Sequence, residues 1–505
     1  MTAPAPALIV SLPARSIGEA KEQIEQSRRS HADGAEIRID RFPPGQRKRM
    51  RELFPSPLPL MATLRSRREG GEGSNDPTQR RLQLRRIGRL PFRWIDLEAE
   101  RDVGDPKRPS SKPARSPIHV VSIHFSRSAS LEKWRAAIRN ELETTALLKI
   151  VGPATLTQLF DSVLPAIRDG SDGSFVVHTT GESGPLLRAW GRRLGLPLVF
   201  AALPDASLAG HSPTKVEPAQ IPVDRLRFYF SAEGEAPLFA VLGHPIGHSL
   251  SPRIHSRWMQ RLNDRGLYLA LEPKSEKEFV DAVPRLAERG FRGFNVTHPF
   301  KELAVGLADR VSRAVESSGC ANTLTVERDA VAAENTDVAA VLRRLGELKA
   351  NGNWNGESLT VIGSGGSARA TLAAASALGV STNVIARSPE RAGELARRFG
   401  ATLADPRRGT AADLVVHCTP VGRAGVADLK VNLRPLLRPG AYLLDFVYRP
   451  AHPILRRLAA QQKIPYEDGL RLLVYQAAAS YGIWWGRDPP SEEIEGTIAE
   501  AECTA

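Results

Sequence analysis

Two residues in the first half of the chain have the types and spacing needed for chemistry on a ketone. Lys149 lies near the end of the apolar segment ALLKI, and His124 near the end of the preceding segment VVSIHF. Burial favours the neutral amine of a lysine, which can attack a carbonyl carbon and form an imine. A histidine can transfer protons at neutral pH. Each residue also has a purely structural interpretation: the lysine could extend its charge to solvent, and the histidine could be a hydrogen-bonded core residue. The position of the two residues on adjacent strand ends favours a catalytic role instead.

A glycine-rich turn in the second half indicates a nucleotide site. The segment GSGGSARA follows an apolar strand and opens a helix, so its backbone can approach a pyrophosphate that rests on the helix N-terminus. The residues assigned to this turn are Gly363, Ser364, Gly365, Gly366 and Ser367. Near the end of the next strand, a basic cluster suits the 2′-phosphate of NADP better than the ribose of NAD. That cluster comprises Arg387, Ser388 and Arg391, and surface arginines are the alternative interpretation.

Eight short apolar segments in the first two hundred residues must position the lysine and the histidine. They begin at Ala7, Gly34, Leu58, Arg93, His119, Ala146, Ser174 and Pro197, and helical segments separate most of them. Eight near-continuous apolar strands with crossovers predict a closed parallel (β/α)8 barrel, whose active site lies at the carboxyl ends of the strands. Polar residues gather at those ends, namely Glu36, Arg38, Arg65, Glu98, His124, Lys149, Thr180 and Ser207.

The order of several motifs in residues 7–215 resembles the type I 3-dehydroquinate dehydratases. The motifs are EIRID, TLRSRREGG, SIH, LLKI and GESGPLLR. The resemblance implies that Lys149 forms an imine with the substrate ketone, that His124 removes the adjacent proton, and that Arg188 pairs bidentately with the substrate carboxylate. It also implies supporting or substrate-binding roles for Glu36, Arg38, Arg65 and Glu69, and a mobile closing loop that carries Ser207 and His211.

Three positions depart from the pattern of that family. Phe125 stands where an aspartate usually follows the histidine, Leu187 stands where a serine usually precedes the arginine, and His211 replaces a glutamine. The closing loop and the surroundings of His124 are therefore expected to differ, although the lysine, histidine and arginine are all present.

The second half resembles the shikimate dehydrogenases over nearly all of residues 237–490. The motifs are GHPIGHSLSPRIH, GFNVTHPFK, CANT, ENTD, the glycine turn, CTPVG, DFVYRP and DGLRLLVYQA. The resemblance implies that Lys301 and Asp337 form the reaction centre, where a lysine protonates the alkoxide left by hydride transfer. A surface ion pair is the alternative.

A triol carboxylate needs many short polar partners. Ser249, Ser251, Asn295, Thr297, Asn322 and Gln476 supply them. The serines and Tyr448 match carboxylate contacts, and Asn322, Asp337 and Gln476 match ring-hydroxyl contacts. Gly469 is assigned to the cofactor site.

Composition narrows the class of protein. The 505 residues carry a net charge of +13, but the arginines are scattered along helix-like segments without interleaved aromatic residues. This pattern indicates solvated helix faces and a field for anionic metabolites rather than nucleic-acid binding. Cys320, Cys418 and Cys503 show no CxxC spacing, which is typical of a reducing cytoplasm. The N-terminus is interpreted as a first strand rather than a signal peptide, and no metal or membrane span is expected.

The sequence therefore predicts a bifunctional cytoplasmic α/β enzyme that dehydrates 3-dehydroquinate and then reduces 3-dehydroshikimate with NADPH. The predicted parts are a barrel (1–222), a linker (223–236), a substrate-binding domain (237–340), a Rossmann-like NADP domain (341–480) and a C-terminal segment (481–505). Three alternatives stay open: a dehydrogenase with an inactive barrel, a metabolite-sensing regulatory module, and a broader specificity that includes quinate. Small molecules are the expected partners, and the oligomeric state is not predicted.

Overall fold

The computed structural model describes residues 4–102, 117–138, 147–169, 175–204, 219–405, 411–421, 433–448 and 453–502. They form two compact units, one built around an eight-stranded parallel sheet and one that contains the glycine turn. The predicted site residues Ser207 and His211, like Cys503, lie outside the described residues.

The first unit is a nearly closed parallel barrel. Its strands are β1 (Ala7–Leu12), β2 (Gly34–Arg38), β3 (Leu60–Thr63), β4 (Trp94–Glu98), β5 (Ile118–His124), β6 (Leu147–Pro153), β7 (Phe175–Thr180) and β8 (Leu198–Ala201). Their order is β7-β6-β5-β4-β3-β2-β1-β8, and the paired strands are parallel. The predicted barrel is therefore confirmed. Between β7 and β8 the described residues form no ladder, and we call this joint the β7–β8 seam.

The barrel interior has an apolar floor below a polar layer. Buried apolar side chains that face inward fill the floor, namely Ile9, Met61, Val120, Val176 and Leu198, with Trp94 and Leu147 packed against them. Side chains alternate along a strand, so the residue two positions further on also points inward. These second residues, one from each strand, are Ser11, Glu36, Thr63, Asp96, Ser122, Lys149, His178 and Phe200, and all are buried. We call them the inner polar layer, although Phe200 is apolar.

Helices surround these strands. They are α1 (Ile17–Arg29), α2 (Pro44–Lys48), α3 (Pro77–Ile87), α4 (Leu131–Ile138), α5 (Leu156–Gln158), α6 (Leu164–Asp169), α7 (Gly184–Ala189) and α8 (Val223–Phe230), and a π-helical turn at Leu159–Val163 joins α5 to α6. Ser16 caps α1, because its side chain accepts from the Glu19 N–H. Helix α8 lies in the range predicted as a linker, and its Arg227 donates to the His31 carbonyl and to Asp33.

A mixed sheet carries the motifs of the predicted substrate-binding domain. Its strands are β9 (Leu238–Leu242), β10 (Leu267–Leu271), β11 (Phe291–Val296), β12 (Arg310–Val311), β13 (Thr323–Val326) and β14 (Val331–Glu334), in the order β10-β9-β11-β13-β14-β12. Strand β11 pairs in parallel with β9 and antiparallel with β13. The accompanying helices are α9 (Ser251–Leu262), α10 (Glu276–Ala287), α11 (Arg313–Ser318) and α12 (Thr336–Ala350).

A third sheet is doubly wound and contains the glycine turn. Its strands are β15 (Ser358–Ile362), β16 (Ser381–Ile385), β17 (Thr402–Leu403), β18 (Ala412–His417), β19 (Leu437–Asp445) and β20 (Tyr466–Glu467). Its helices are α13 (Gly366–Ala377), α14 (Pro389–Phe399), α15 (Pro453–Gln462), α16 (Leu470–Trp485) and α17 (Ser491–Glu502). The strand order β17-β16-β15-β18-β19-β20 reverses direction between β15 and β18. Dinucleotides bind at such a reversal, which confirms the predicted Rossmann-like sheet.

In the part of the chain that the structure describes, no helix is long and apolar enough to cross a bilayer. The described His, Cys, Asp and Glu side chains also include no group of three or more placed to hold a metal ion.

Candidate active sites

The amine of Lys149 lies deep in the barrel between two carboxylates. Its Nζ is 3.1 Å from Asp96 Oδ2 and 3.6 Å from Glu36 Oε1, and it lies 3.9 Å from the centre of the Phe200 ring. The residue is only 5% exposed. The surroundings of this nitrogen are therefore charged rather than apolar, and two carboxylates could stabilise a positive charge on it.

Asp96 joins the lysine to a buried arginine. Both oxygens of Asp96 accept from Arg65 Nη2, at 3.0 and 3.1 Å, and Ser122 Oγ donates to Oδ1 at 2.7 Å. Burial raises the pKa of the Asp96 carboxyl, but the cations of Arg65 and Lys149 outweigh burial and hold that pKa well below its usual range. Asp96 is therefore a fixed negative charge beside the amine.

Glu36 is held from two sides within the inner polar layer. Ser11 Oγ donates to Oε2 at 2.6 Å and Thr63 Oγ1 donates to Oε1 at 2.7 Å. Burial raises the pKa of the Glu36 carboxyl, but Lys149 and Arg38 lower it further than burial raises it. Arg38 makes a bidentate pair with Asp40, at 3.0 and 2.8 Å. Its supporting or substrate-binding role stays a prediction.

His124 lies at the end of β5, beside the strand that carries Lys149. Its Nε2 is buried and has no hydrogen-bond partner among the described residues. Burial, followed by the cations of Arg65 and Lys149, lowers the pKa of the imidazole well below 6.5. The ring is therefore neutral at physiological pH and can accept a proton.

The departure at Phe125 has a packing reason. The Phe125 ring contacts the buried Trp134 edge to face, with centroids 5.0 Å apart. A Cβ on Gly152 would lie 2.9 Å from this ring, so β6 approaches the phenylalanine closely. An aspartate at this half-buried position would lose the ring contact with Trp134.

Arg188, the predicted carboxylate ligand, is buried and bound to the backbone. Its Nε donates to the Phe200 carbonyl at 3.2 Å, and its Nη1 donates to the Thr179 and Gly184 carbonyls at 3.1 and 2.6 Å. A bidentate pair through two of its nitrogens, as the resemblance implied, would require release of one of these carbonyls. The bidentate pairing stays a prediction, and in this conformation Nε and Nη1 already have backbone acceptors.

The pKa of Glu69 is raised although its carboxylate contacts an arginine. Its Oε2 lies 2.6 Å from Arg65 Nη1 and its Oε1 lies 3.6 Å from Arg101. Burial raises the pKa of Glu69 from 4.5 to about 7, since Arg65 is shared with Asp96 and Glu98, whose charges oppose ionisation of Glu69.

The raised pKa of Glu69 gives a prediction for stability against pH. Between about pH 4.5 and 7 the folded state holds a proton that the unfolded state has lost, so stability falls as pH rises through this range. Glu69→Gln stays neutral, and we expect it to be about 1–3 kcal/mol more stable than the wild type at pH 8, with little difference near pH 5. Thermal unfolding at both pH values measures this. A difference that does not change with pH would contradict the assignment.

The second predicted site is assembled around a lysine and an aspartate. Lys301 Nζ contacts Asp337 Oδ2, and Asn322 Nδ2 donates to Asp337 Oδ1 at 3.0 Å. Asp337 is the second residue of α12 and Asn322 directly precedes β13, so two elements fix the carboxylate. The predicted pair is thus in contact and partly shielded from solvent.

A buried network of small polar side chains supports this pair. Asn295 Nδ2 donates to Thr323 Oγ1 at 3.1 Å and to Ser480 Oγ at 2.8 Å. Ser480 also contacts Thr336 Oγ1 at 3.1 Å and donates to the Gln476 carbonyl at 2.9 Å. The network therefore joins β11 and β13 to α12 and α16, the helix that carries Gln476.

The remaining predicted substrate ligands lie on nearby elements. Ser249 precedes α9, and its Oγ accepts from the N–H of Ser251, the first residue of that helix, at 3.3 Å. Thr297 follows β11 and packs so tightly that a Cβ on Gly243 would lie 2.3 Å from its methyl group. Tyr448 is half-buried at the edge of the described segment 433–448.

The glycine turn lies directly against the Lys–Asp pair. A Cβ on Gly366 would lie 2.6 Å from Lys301 Cδ. Gly363 has φ +133°, and a Cβ there would lie 3.0 Å from the Cys418 carbonyl, so the turn passes closely over the end of β18. No neighbouring atom lies within 4 Å of a Cβ at Gly365, the N-cap residue of helix α13. The turn therefore fits a pyrophosphate, with open space where the backbone must approach it.

The predicted 2′-phosphate cluster follows β16. Arg387 and Arg391 are exposed, and Ser388 caps α14 by accepting from the Arg391 N–H at 3.3 Å. At Gly469, a Cβ would lie 2.3 Å from the Phe446 carbonyl. Gly469 therefore permits a close approach of two backbone segments, and its assignment to the cofactor site stays a prediction.

Several residues of these sites were missed by reasoning from the sequence. Asp96, Ser11, Thr63 and Ser122 belong to the inner polar layer, and Thr323, Thr336 and Ser480 belong to the second network. The alternation of inward positions along each strand is a signal that would have found the first group. Thr323 and Thr336 lie inside the motifs CANT and ENTD, and Ser480 lies one helical turn after Gln476.

Together these observations define an enzyme with two sites. The buried lysine near a histidine in the barrel fits an imine-forming lyase, and the Lys–Asp pair at the phosphate turn of the doubly wound sheet fits a dinucleotide-dependent oxidoreductase.

Comparison with known proteins also divides the chain into two parts. Residues 8–236 match the sequence model of the type I 3-dehydroquinases, and residues 241–324 match that of the shikimate dehydrogenase substrate-binding domain. The NADP(+) shikimate dehydrogenase of Acidiphilium cryptum is 36% identical over 261 residues, which are 51% of this chain and 93% of that protein. The corresponding enzyme of Sinorhizobium medicae is 38% identical over 263 residues, which are 50% and 91%. The chain belongs to the shikimate dehydrogenase family, and its first half matches the model of the type I 3-dehydroquinases.

Two solved structures resemble parts or all of the chain. Shikimate 5-dehydrogenase from Thermus thermophilus, in complex with NADP(H) and shikimate, is 32% identical with a TM-score of 0.47, and the match covers 52% of this chain and 99% of that one. The dehydroquinate dehydratase and shikimate dehydrogenase of S. pombe AroM are 20% identical with a TM-score of 0.44, and the match covers 98% of both chains.

Proposed function

We propose that the chain carries out two consecutive reactions. The barrel dehydrates 3-dehydroquinate to 3-dehydroshikimate, and the second unit reduces 3-dehydroshikimate to shikimate with NADPH. The observation that supports this most strongly is the buried amine of Lys149 between Asp96 and Glu36, with the neutral imidazole of His124 on the neighbouring strand.

The dehydration begins at Lys149. Its ammonium group gives up a proton and the free amine attacks the ketone carbon. The carbonyl oxygen takes that proton and a second one from the nitrogen and leaves as water, so that an iminium cation remains, which the carboxylates of Glu36 and Asp96 stabilise. His124 removes a proton from the adjacent carbon, and the electron pair moves into the iminium to give an enamine. The enamine expels the hydroxyl on the next carbon, which takes the proton from His124 and leaves as water. Hydrolysis of the imine then releases the product and restores the amine.

The reduction uses the pair beside the glycine turn. NADPH, held by the turn from Gly363 to Ser367, supplies a hydride when bound. Lys301 donates the proton that the resulting alkoxide needs, and Asp337 orients the lysine while Asn322 holds the carboxylate. Asn322, Asp337 and Gln476 receive the ring hydroxyls. The substrate carboxylate is bound by Ser249, Ser251 and Tyr448, and Asn295 and Thr297 shape the pocket.

A coupled assay tests both reactions at once. Added 3-dehydroquinate should cause oxidation of NADPH, at a rate well above that with NADH. If 3-dehydroshikimate causes oxidation and 3-dehydroquinate does not, the barrel is inactive and only the second half of the proposal holds. If neither compound does, the proposal is wrong. Quinate in the reverse direction with NADP tests the broader specificity.

Cofactor choice is proposed to depend on the charge of Arg387. Reversal of this charge in Arg387→Asp should raise the KM for NADPH by about 10- to 100-fold, because a charged hydrogen bond to the 2′-phosphate is lost, and should leave the KM for NADH similar or lower. Arg397→Asp makes the same change at an exposed position further along α14 and serves as the control. Equal effects of both variants on NADPH would contradict the assignment.

We also propose that the enzyme acts in the cytoplasm on small molecules, without a nucleic-acid or membrane partner. Many exposed arginines are paired within the chain, as in Arg28–Glu25, Arg49–Glu52 and Arg343–Glu347. Such pairing leaves the positive charge dispersed rather than gathered on one face. A salt-sensitive shift on a DNA or RNA gel at physiological ionic strength would contradict this proposal.

A further inference from the structure

A second histidine lies inside the barrel and takes no part in the reaction described above. His178 is on β7, two residues beyond Val176, which belongs to the apolar floor and pairs in register with Lys149. The alternation of side chains therefore points His178 into the barrel, on the side of the floor where the strands end. The residue is 1% exposed.

One nitrogen of His178 is used at the β7–β8 seam. The Phe200 N–H donates to Nε2 at 3.3 Å, while the Phe200 carbonyl accepts from Arg188 Nε at 3.2 Å. Arg188 also binds the Thr179 carbonyl on β7. The side chains of His178 and Arg188 therefore bind the backbone N–H and the backbone carbonyl of Phe200. The ring of Phe200 lies against the Lys149 amine.

The hydrogen bond from Phe200 indicates which ring nitrogen of His178 carries the proton. A nitrogen that accepts a hydrogen bond carries no proton, so a neutral His178 carries its proton on Nδ1. Burial, followed by the cations of Arg188 and Lys149, lowers the pKa of His178 well below 6.5, so the neutral form is present at physiological pH. With Nε2 occupied and Nδ1 protonated, the ring is a hydrogen-bond donor and not a second base.

The donor has no acceptor within the described part of the chain. Nδ1 of His178 is buried and makes no hydrogen bond there. Buried polar groups are rarely left without a partner, so an unsatisfied donor inside a binding site indicates a ligand atom. The neighbouring cation of Arg188 makes an anionic acceptor the favoured one.

We propose that the Nδ1–H of His178 donates a hydrogen bond to the carboxylate of the dehydratase substrate, as a second donor beside Arg188. This inference rests on the proposed function of the barrel. Arg188 donates from Nε and Nη1 to backbone carbonyls, so it cannot offer two nitrogens to the carboxylate in this conformation. His178 supplies the missing donor and is a positioning residue that selects an acid over a neutral analogue.

Two substitutions separate this role from the structural contact at the seam. In His178→Gln, Oε1 can still accept from the Phe200 N–H, but the donor at the position of Nδ1 is lost. In His178→Asn, the side-chain amide places a donor near the position of Nδ1, but the contact with Phe200 is lost. We expect His178→Gln to raise the KM for 3-dehydroquinate by about 10- to 100-fold with kcat within about threefold of the wild type. His178→Asn should keep a KM closer to that of the wild type and have a lower melting temperature.

The carboxamide of 3-dehydroquinate provides a second readout. The wild type should bind 3-dehydroquinate much more tightly than the amide, and His178→Gln should reduce this preference by about tenfold or more. An unchanged preference, or an unchanged KM in His178→Gln, would overturn the inference. A fall in kcat alone in both variants would also overturn it, because the histidine would then act on Lys149 through Phe200. Turnover by the wild type must be present, and its absence would contradict the proposed function instead.

Discussion

Lys149→Arg is expected to lower the dehydratase kcat by about 10⁴-fold or more while the shikimate dehydrogenase activity stays near that of the wild type. A guanidinium cannot form the imine with the ketone, so the reaction loses its electron sink. The arginine nevertheless keeps a positive charge between Asp96 and Glu36. Lys149→Ala should lose the same activity and also melt at a lower temperature, because it leaves those buried carboxylates with one cation fewer.

Chemical trapping locates the imine. Borohydride added with 3-dehydroquinate should reduce it and leave a covalent adduct on the peptide that contains Lys149. The Lys149→Arg variant should give no adduct. Lys133→Ala, at an exposed position on α4, should retain both the activity and the adduct. An adduct on another lysine, or full activity in Lys149→Arg, would contradict the assignment of the nucleophile.

The second large effect on activity is expected at the Lys301–Asp337 pair beside the glycine turn. Lys301→Ala should lower the kcat for shikimate oxidation by about 10²- to 10⁴-fold, since the oxygen that loses or gains a proton has no positioned partner. The affinity for NADP, followed by fluorescence, should change far less. Asp337→Asn removes the charge that orients the lysine and should reduce kcat in the same direction.

The barrel supplies the internal control for these variants. Dehydratase activity of Lys301→Ala should equal that of the wild type, which shows that the chain is folded. Lys277→Ala breaks an exposed ion pair with Asp281 on α10, and it should leave both activities unchanged. Shikimate-dependent turnover at the wild-type rate in Lys301→Ala would disprove the assigned reaction centre.

The strand count and the strand, turn and helix around the glycines could be predicted from the sequence because they depend on local patterns. Each apolar segment can be recognised as a strand without knowledge of its neighbours. Lys149 and His124 are expected to lie close together as soon as their two strands are taken to be adjacent. The phosphate turn likewise needs only a strand, a glycine and a helix in succession.

The contacts between strands could not be predicted in the same way. Asp96 lies beside Lys149 because of the register across β4, β5 and β6, and no pattern within one segment shows that register. The backbone contacts of Arg188 depend on the gap in the ladder at the β7–β8 seam. The network of Asn295 and Ser480 joins residues far apart in the chain. Such contacts follow from packing of the complete fold rather than from spacing.

The inner polar layer has a consequence for how the barrel holds together. Strands β1 to β4 contribute its two carboxylates, Glu36 and Asp96, whereas β5 to β8 contribute Lys149 and His178. A fragment with only the second four strands would bury an ammonium without its counter-ions, and the complementary fragment would bury Glu36 without Lys149, which are both costly. Charge compensation is therefore completed only when the two half-barrels meet. The ion pairs of Lys149 with Glu36 and Asp96 therefore make the two halves depend on each other, and we expect the barrel to unfold as one cooperative unit.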